Sequence, residues 1–541
     1  MTRAEQWARL ARTAVYDLAV IGGGATGLGV ALDAALRGFS VVLLESHDFG
    51  GGTSSRSTKL LHGGVRYLAQ GNVALVREAL AERAAVLRIA PHLAQPLPFV
   101  MPSYRWWQTP FYGIGLKLYD LLAGRAGLGA TQWLSARETL AALPGVRREG
   151  LQGGVMYWDG QFDDARLALA LARTVERAGG LPLNHAEVRD LRPLDGQAEG
   201  GARFELEVTD RLLGRCATVA ARAVVNATGV WVDQVRQQAM GHDDPSPADR
   251  LVSPSQGVHV VVDQSFMSGG HALLVPKTED GRVLFAVPWL GSIILGTTDT
   301  PRQDLPREPQ PFEAELDFIL GEAGKVLSRP VRREDIRSVW VGLRPLVAAP
   351  SGTQGATKKL SREHTIVADP NGLVTVTGGK WTTYRAMAED VLDACVEAGV
   401  LPARAGGASR NHRLVGADGP SQHAALHQAP GEHLYGSERA QLKACPGADR
   451  ELGMGLTEAM VRFAARSEYA VTVEDVLARR WRALFLDARA SRRMAPAVAD
   501  ILQQETGLDP ALAEFLTLSE RYLPPGHWTP PASPSARAAD L

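Results

Sequence analysis

Residues 16–45, YDLAVIGGGATGLGVALDAALRGFSVVLLE, constrain the fold more than any other stretch. Residues 18–21 form a short apolar run, as expected of a strand buried on both faces. Gly22, Gly24 and Gly27 follow in the spacing G-x-G-x-x-G. In that spacing the first glycine permits a tight turn, the second lets a pyrophosphate approach the backbone, and the third lets a helix pack against the strand. A helix is predicted over residues 25–37, ending at Gly38, a residue suited to a left-handed C′ position. The amides of Ala25, Thr26 and Gly27 at its start, with the helix dipole, make an anion site. Residues 41–44 are a second apolar run and end at Glu45, 18 residues after Gly27. A carboxylate there accepts hydrogen bonds from a ribose diol and repels a 2′-phosphate. The stretch therefore predicts a dinucleotide site at the start of an α/β domain with a parallel sheet. The alternative is a glycine-rich turn with no ligand.

The rest of the chain must accommodate that unit. With 541 residues, 45% of them apolar, there is material for two or three cores. A net charge of −1 makes no case for a nucleic-acid partner. Cys216, Cys395 and Cys445 are far apart and form no C-x-x-C pair, so no metal site is suggested and a reducing compartment is expected. The first 15 residues lack the apolar core of a secretory signal, and no apolar run reaches the roughly 18 residues of a spanning helix, so membrane contact is expected to be peripheral.

After Glu45 comes SHDFGGGTSSRSTKLLHGGVRYL, a small and polar loop placed to wrap a planar ligand. Thr53, Ser54, Ser55, Lys59 and His62 are its polar candidates, with Gly63 and Gly64 closing it. Helices are predicted over residues 72–89 and 163–178. Proline-rich segments occupy residues 91–102, and residues 104–125 are aromatic and mildly basic. Residues 223–229, AVVNATG, read as a strand ending in a small-residue turn at Ala227, Thr228 and Gly229, where backbone can pass close to a cofactor. Short strands at residues 258–262, 273–275, 283–287 and 293–295 suggest a mostly antiparallel substrate domain. A strand at residues 374–377 leads through Gly379 and Lys380 into a helix over residues 383–398. Residues 401–447 read as linker with partial structure, and residues 472–488 as one amphipathic helix with a Thr472/Asp475 capping box.

The segments IGGGATGLG, SSRSTKLLHGGVRYL, NATGVWVD, PWLGSIILGTTDT, VGLRPL and TVTGGKWTTYR together resemble FAD-dependent, respiratory glycerol-3-phosphate dehydrogenases. The resemblance implies a glutathione-reductase-like FAD-binding domain of the D-amino-acid-oxidase type, a mixed-sheet substrate domain and a helical C-terminal cap. It assigns residues 1–90, 150–230 and 350–399 to the first, 91–149 and 231–349 to the second, and 400–522 to the third. Residues 523–541 are expected to be a disordered tail. It further implies FAD, oxidation of sn-glycerol 3-phosphate to dihydroxyacetone phosphate, and a membrane quinone as acceptor. The protein would then lie at the inner face of the cell membrane, and a homodimer is compatible with it.

That reaction removes a hydride from C2 and a proton from its hydroxyl, while the protein neutralises a phosphate dianion. Arginine suits the dianion through its bidentate fork. Arg66 and Arg344 match substrate-site positions of the family, Tyr67 adjoins the first, and Lys380 sits beside the flavin in the matching motif. The helix start at Thr382 and Thr383 would favour negative charge on the reduced ring. His62 and His259 are both candidates for the base, and Asp299 is a further polar group near substrate. Two other readings stand beside this one. An oxidase of the same fold would pass electrons to O2, although the long insertion of that branch is missing. A flavin-binding assembly protein without turnover would not need Arg66, Arg344 and Lys380. Trp106 and Trp107, flanked by Arg105, Lys117 and Arg125, are either a membrane-facing patch or aromatic packing within the substrate domain.

Overall fold

The structure, a computed structural model, describes residues 1–64, 72–194, 199–241, 250–279, 281–348, 364–419, 424–524 and 526. Two sheets organise it. The first has a parallel centre. Tyr16–Ile21 lies between Val41–Leu44 and Cys216–Asn226, with Leu181–Leu183 beyond one and Leu373–Gly378 beyond the other. Its central strands are buried on both faces, which is why their sequences are runs of Val, Leu, Ile and Ala without alternation. His364–Ala368, Phe204–Asp210 and Ala186–Pro193 extend it antiparallel.

Helix Ala25–Leu36 follows the glycine turn as expected, with Gly38 in the left-handed region at φ 80°. It packs between Asp164–Arg177 and Tyr384–Glu397. Asp163 caps the first of these by accepting from the Arg166 amide at 3.1 Å. A 3-10 turn, Trp381–Thr383, leads into the second.

The second sheet is mostly antiparallel, as predicted. Val252–Asp263 pairs with Ser338–Val347 on one side and Ser292–Gly296 on the other, and the sheet continues through Leu284–Trp289, Ala272–Val275, Ala94–Ser103 and Gly153–Phe162. Two expectations need correction. Residues 91–102 are not merely a proline-rich connection but supply most of a ten-residue strand. Gly153–Phe162, expected in the first unit, pairs with that strand along its whole length and so belongs to the second sheet.

The C-terminal helices pack against the second sheet. Trp289 and Trp340 of the second sheet share a core with Trp481, Phe485 and Leu484. Residues 401–447, expected as linker with partial structure, place Leu414, Leu426, Leu434 and Tyr435 in buried positions. The predicted helix over residues 472–488 is not continuous. Val473, Leu477, Trp481, Leu484 and Phe485 are all buried as expected, and the Thr472/Asp475 capping box forms. But the chain widens into a π turn at Asp475–Arg480, and Arg482 takes φ 65° before a new short helix, Ala483–Leu486.

The reason lies in the polar face, which is buried too. Arg479 and Arg480 converge on the Asp48 carboxylate, with Arg480 NH2 donating to Oδ1 at 3.0 Å. Arg482 donates to the Ser55 carbonyl at 2.6 Å and stands 3.4 Å from Asp164. Lys59 donates to the same carbonyl and to Asp164, each at 2.8 Å. Burial pushes the Lys59 ammonium below its ordinary range, against the pull of Asp164. A regular helix cannot aim three arginines spaced over four residues at two carboxylates, so the backbone gives way.

Removing Asp164 would leave Lys59 and Arg482 buried without their anion, a loss of about 3–5 kcal/mol by the usual cost of breaking a buried pair. Asp164→Ala should therefore unfold at clearly lower urea concentration, followed by tryptophan fluorescence. An unchanged midpoint would mean that the cluster contributes no stability.

Candidate active site

A cavity of about 750 Å³ runs along the carboxyl ends of the parallel strands and on to the second sheet, within the roughly 300–1,000 Å³ of ligand pockets. At one end it is bordered by Gly22, Gly24, Ala25 and Thr26, with Glu45 on the next strand and Ala227, Thr228 and Gly229 on the other side. Gly22 has φ 108°, and a Cβ there would stand 2.6 Å from the Ala227 carbonyl oxygen. A Cβ on Gly27 would collide with the Gly22 carbonyl oxygen, so Gly27 serves helix–strand packing and does not border the cavity. Gly24 offers no side chain to cap helix Ala25–Leu36, and that helix end opens on the cavity.

The Glu45 carboxylate accepts from the Gly23 amide at 2.7 Å and from the His47 amide at 2.9 Å. Burial raises its pKa while these amides favour the anion. Bare backbone at the turn, the helix end and this carboxylate fit a dinucleotide whose pyrophosphate rests on the turn and whose ribose hydroxyls meet Glu45. FAD is such a ligand, and its flavin half would extend towards Gly379, Lys380 and Thr382, which border the far part of the cavity.

The loop after Glu45 divides between wall and support. Thr53, Ser54, Arg56, Ser57, Thr58 and His62 border the cavity. Thr53 also donates to the Leu343 carbonyl at 2.6 Å, and Ser54 accepts from the Ala25 amide at 2.9 Å. Lys59 does not border the cavity. It is fully buried behind the wall, paired with Asp164 and stacked over Trp340 at 4.4 Å. Ser55 is buried and spends its carbonyl on Lys59 and Arg482. Gly63, Gly64 and Thr383 likewise lie off the cavity wall. Arg66 and Tyr67 fall outside the described residues.

At the second sheet, the pairs His259↔Trp340, Gly257↔Gly342 and Ser255↔Arg344 put alternate residues of two strands on the face towards the cavity. Arg344 donates to the Thr298 carbonyl at 2.9 Å, to the Thr297 hydroxyl at 3.0 Å, and to Gln256 O and Asp299 at 3.2 Å. Asp299 is not in the wall; it backs Arg344 and accepts from Ser255. A Cβ on Gly257 would strike the guanidinium. His259 stacks on Trp340 at 4.1 Å, and its Nε2 is 2.9 Å from the Thr58 hydroxyl. Burial, then the charges of Lys59 and Arg344, hold its pKa well below the ordinary value, so the ring is neutral.

A scan of family models matches residues 17–385 to the FAD dependent oxidoreductase family and residues 408–513 to the C-terminal domain of alpha-glycerophosphate oxidase. The mitochondrial glycerol-3-phosphate dehydrogenase of Bos taurus is 40% identical over 95% of this chain and 74% of its own length. That of Arabidopsis thaliana is 40% identical over 93% of this chain and 85% of its own. The chain belongs to the glycerol-3-phosphate dehydrogenase family of FAD-dependent oxidoreductases. The crystal structure of the Bacillus halodurans glycerol-3-phosphate dehydrogenase complexed with FAD superposes with a TM-score of 0.72 and 27% identity, covering 96% of this chain and 97% of that one.

Several wall residues of this family member carried no signal of their own in the sequence. Trp231 and Arg307 border the cavity from the turn after residues 223–229 and from an otherwise featureless loop. Arg56 and Thr58 lay inside the wrapping loop but were not singled out.

Alanine at Gly22 would need a φ that side chains avoid, on the order of 1–3 kcal/mol, besides the clash with Ala227. Gly22→Ala should purify with flavin depleted about tenfold or more, read from the ratio of 450 nm to 280 nm absorbance. Full flavin content in this variant would contradict the assigned turn.

Proposed function

We propose that the protein oxidises sn-glycerol 3-phosphate to dihydroxyacetone phosphate and passes the electrons to a membrane quinone. The observation that carries this reading is the cavity end where Arg344, Lys380, His62 and His259 gather beside the expected place of the flavin. Bound FAD supplies the hydride acceptor. The protein's own groups bind, orient and deprotonate.

Arg344 and Lys380 provide the positive field for the phosphate, joined in this reading by Arg66 and Tyr67. A dianion reaching Arg344 competes with Asp299, whose carboxylate accepts from the guanidinium at 3.2 Å. Gly257 leaves the room that the guanidinium occupies. The two histidines differ as bases. A proton on His259 would sit buried between Lys59 and Arg344, which oppose it. A proton on His62 would rest beside Asp159, whose carboxylate is 3.5 Å from Nδ1. His62 is therefore the base, and neutral His259 orients Thr58 and the substrate.

The acceptor is supported by a surface. Helix Gln108–Ala123 exposes Phe111, Ile114, Leu118 and Leu121 in one stripe at helical spacing, 49–76% accessible, beside Trp106 at 82%. Trp107 and Trp133 are exposed next to them, while Leu116 and Tyr119 face inward. A contiguous exposed apolar stripe marks an interaction surface, and Arg105, Lys117 and Arg125 suit anionic headgroups. Among the described residues no helix is long and apolar enough to cross a membrane. We read the protein as peripherally bound at the cytoplasmic face of the cell membrane, near its lipid-soluble acceptor.

Three outcomes test this. Glycerol 3-phosphate without oxygen should bleach the yellow protein, and a quinone analogue should restore the colour faster than air; faster recovery in air would favour the oxidase reading. Arg344→Ala should keep its flavin but lose about 2–5 kcal/mol in kcat/KM, the usual cost of removing a charged partner, and an unchanged kcat/KM contradicts the phosphate role. Wild type should pellet with anionic vesicles, and Phe111→Ser/Leu121→Ser should pellet less. Failure of wild type to pellet sinks the membrane reading.

A further inference from the structure

The mechanism uses His62 but does not explain what fixes its ring. Asp159, on strand Gly153–Phe162, is 1% exposed. Its Oδ1 accepts from Arg83 at 2.8 Å, from the Gly63 amide at 3.0 Å and from the Gly160 amide at 3.1 Å. Its Oδ2 faces the Gly63 amide at 3.3 Å and His62 Nδ1 at 3.5 Å. Burial works to raise its pKa, but His62 and Arg83 hold it below the ordinary value, so it is an anion.

The carboxylate is itself fixed. Arg83 is buried, and it also donates to the Tyr119 hydroxyl at 3.2 Å and to the Ala126 carbonyl at 3.0 Å. On its other side the His62 ring packs against Phe285 at 5.3 Å. Backbone, arginine and aromatic contacts thus converge on one orientation of one imidazole at the cavity wall. A structural carboxylate for Arg83 alone would not need the Gly63 amide or the neighbouring Nδ1.

Resting on the reading of His62 as base, we propose that Asp159 is its positioning residue. It holds the tautomer protonated on Nδ1 and directs Nε2 to the cavity. The proton leaves the substrate's C2 oxygen, an N–H bond forms at Nε2, and the resulting imidazolium lies against the Asp159 carboxylate. The second nitrogen of a histidine base commonly takes its orientation from such a partner.

Two measurements decide it. The first needs no change at Asp159. Holoenzyme labelled with 15N-histidine, with the His62 signals assigned by their loss in His62→Gln, should show neutral His62 protonated on Nδ1. A neutral ring protonated on Nε2 overturns the proposal. The second is a cycle of variants read by the anaerobic rate of flavin reduction by glycerol 3-phosphate. Asp159→Asn should slow reduction by about a hundredfold, the lower range for a general base. In the His62→Gln background the same change should cost less than about threefold, because the two act as one unit. Equal losses in both backgrounds would make Asp159 merely structural and overturn the proposal. If Asp159→Asn does not hold flavin, the tautomer alone decides. A His62→Gln enzyme that reduces its flavin at the wild-type rate refutes the base reading, while the tautomer still reports on Asp159.

Discussion

The fold depends on charge neutralisation in its interior. Asp48 and Asp164 belong to the first unit, and Arg479, Arg480 and Arg482 come from the C-terminal helices. None of these ions is solvated, so each half of the cluster is untenable alone. The loop that borders the cavity, from Ser46 to Lys59, is tied at Asp48 and Ser55 to those arginines and at Thr53 to the second sheet. The cap therefore does more than cover apolar surface. It supplies the counter-charges that let an acidic and polar loop be buried against the sheets.

Those supports explain the separation of roles within a few residues of sequence. Thr58 and His62 reach the cavity while Lys59, between them, points behind it. The alternation comes from the loop joining the edge of the second sheet at Leu60–Leu61. Lys59 then acts at a distance: after burial itself, its charge and that of Arg344 lower the pKa of His259. Asp159 gives His62 the opposite environment. Two histidines at one cavity thus stand against ions of opposite sign.

What the sequence made legible follows periodicity and local geometry. The strand–turn–helix at Gly22 to Gly27 and the acid at Glu45 rest on spacing within one segment, and they stand where expected. The misjudged positions depend on partners remote in the chain. Lys59 looked like a ligand contact because a polar residue in a glycine-rich loop gives no sign of an aspartate 105 residues away. Asp159 was silent because its partners, Arg83 and His62, lie on other elements. The helix over residues 472–488 looked continuous because amphipathicity records where apolar side chains go. It does not record that Arg479, Arg480 and Arg482 must also be buried. The exposed stripe at Phe111, Ile114, Leu118 and Leu121 had the opposite problem: apolar spacing predicts a buried face, and only the fold shows what covers it.

The separation of the cluster's halves bears on how the protein is made. Arg480 lies 432 residues beyond the aspartate it neutralises. During synthesis the glycine turn and its parallel strands emerge first, yet the loop beside them keeps an uncompensated Asp48 until nearly the whole chain has left the ribosome. Burial of Asp48 against its arginines therefore waits on residues 479 and 480, far along the chain.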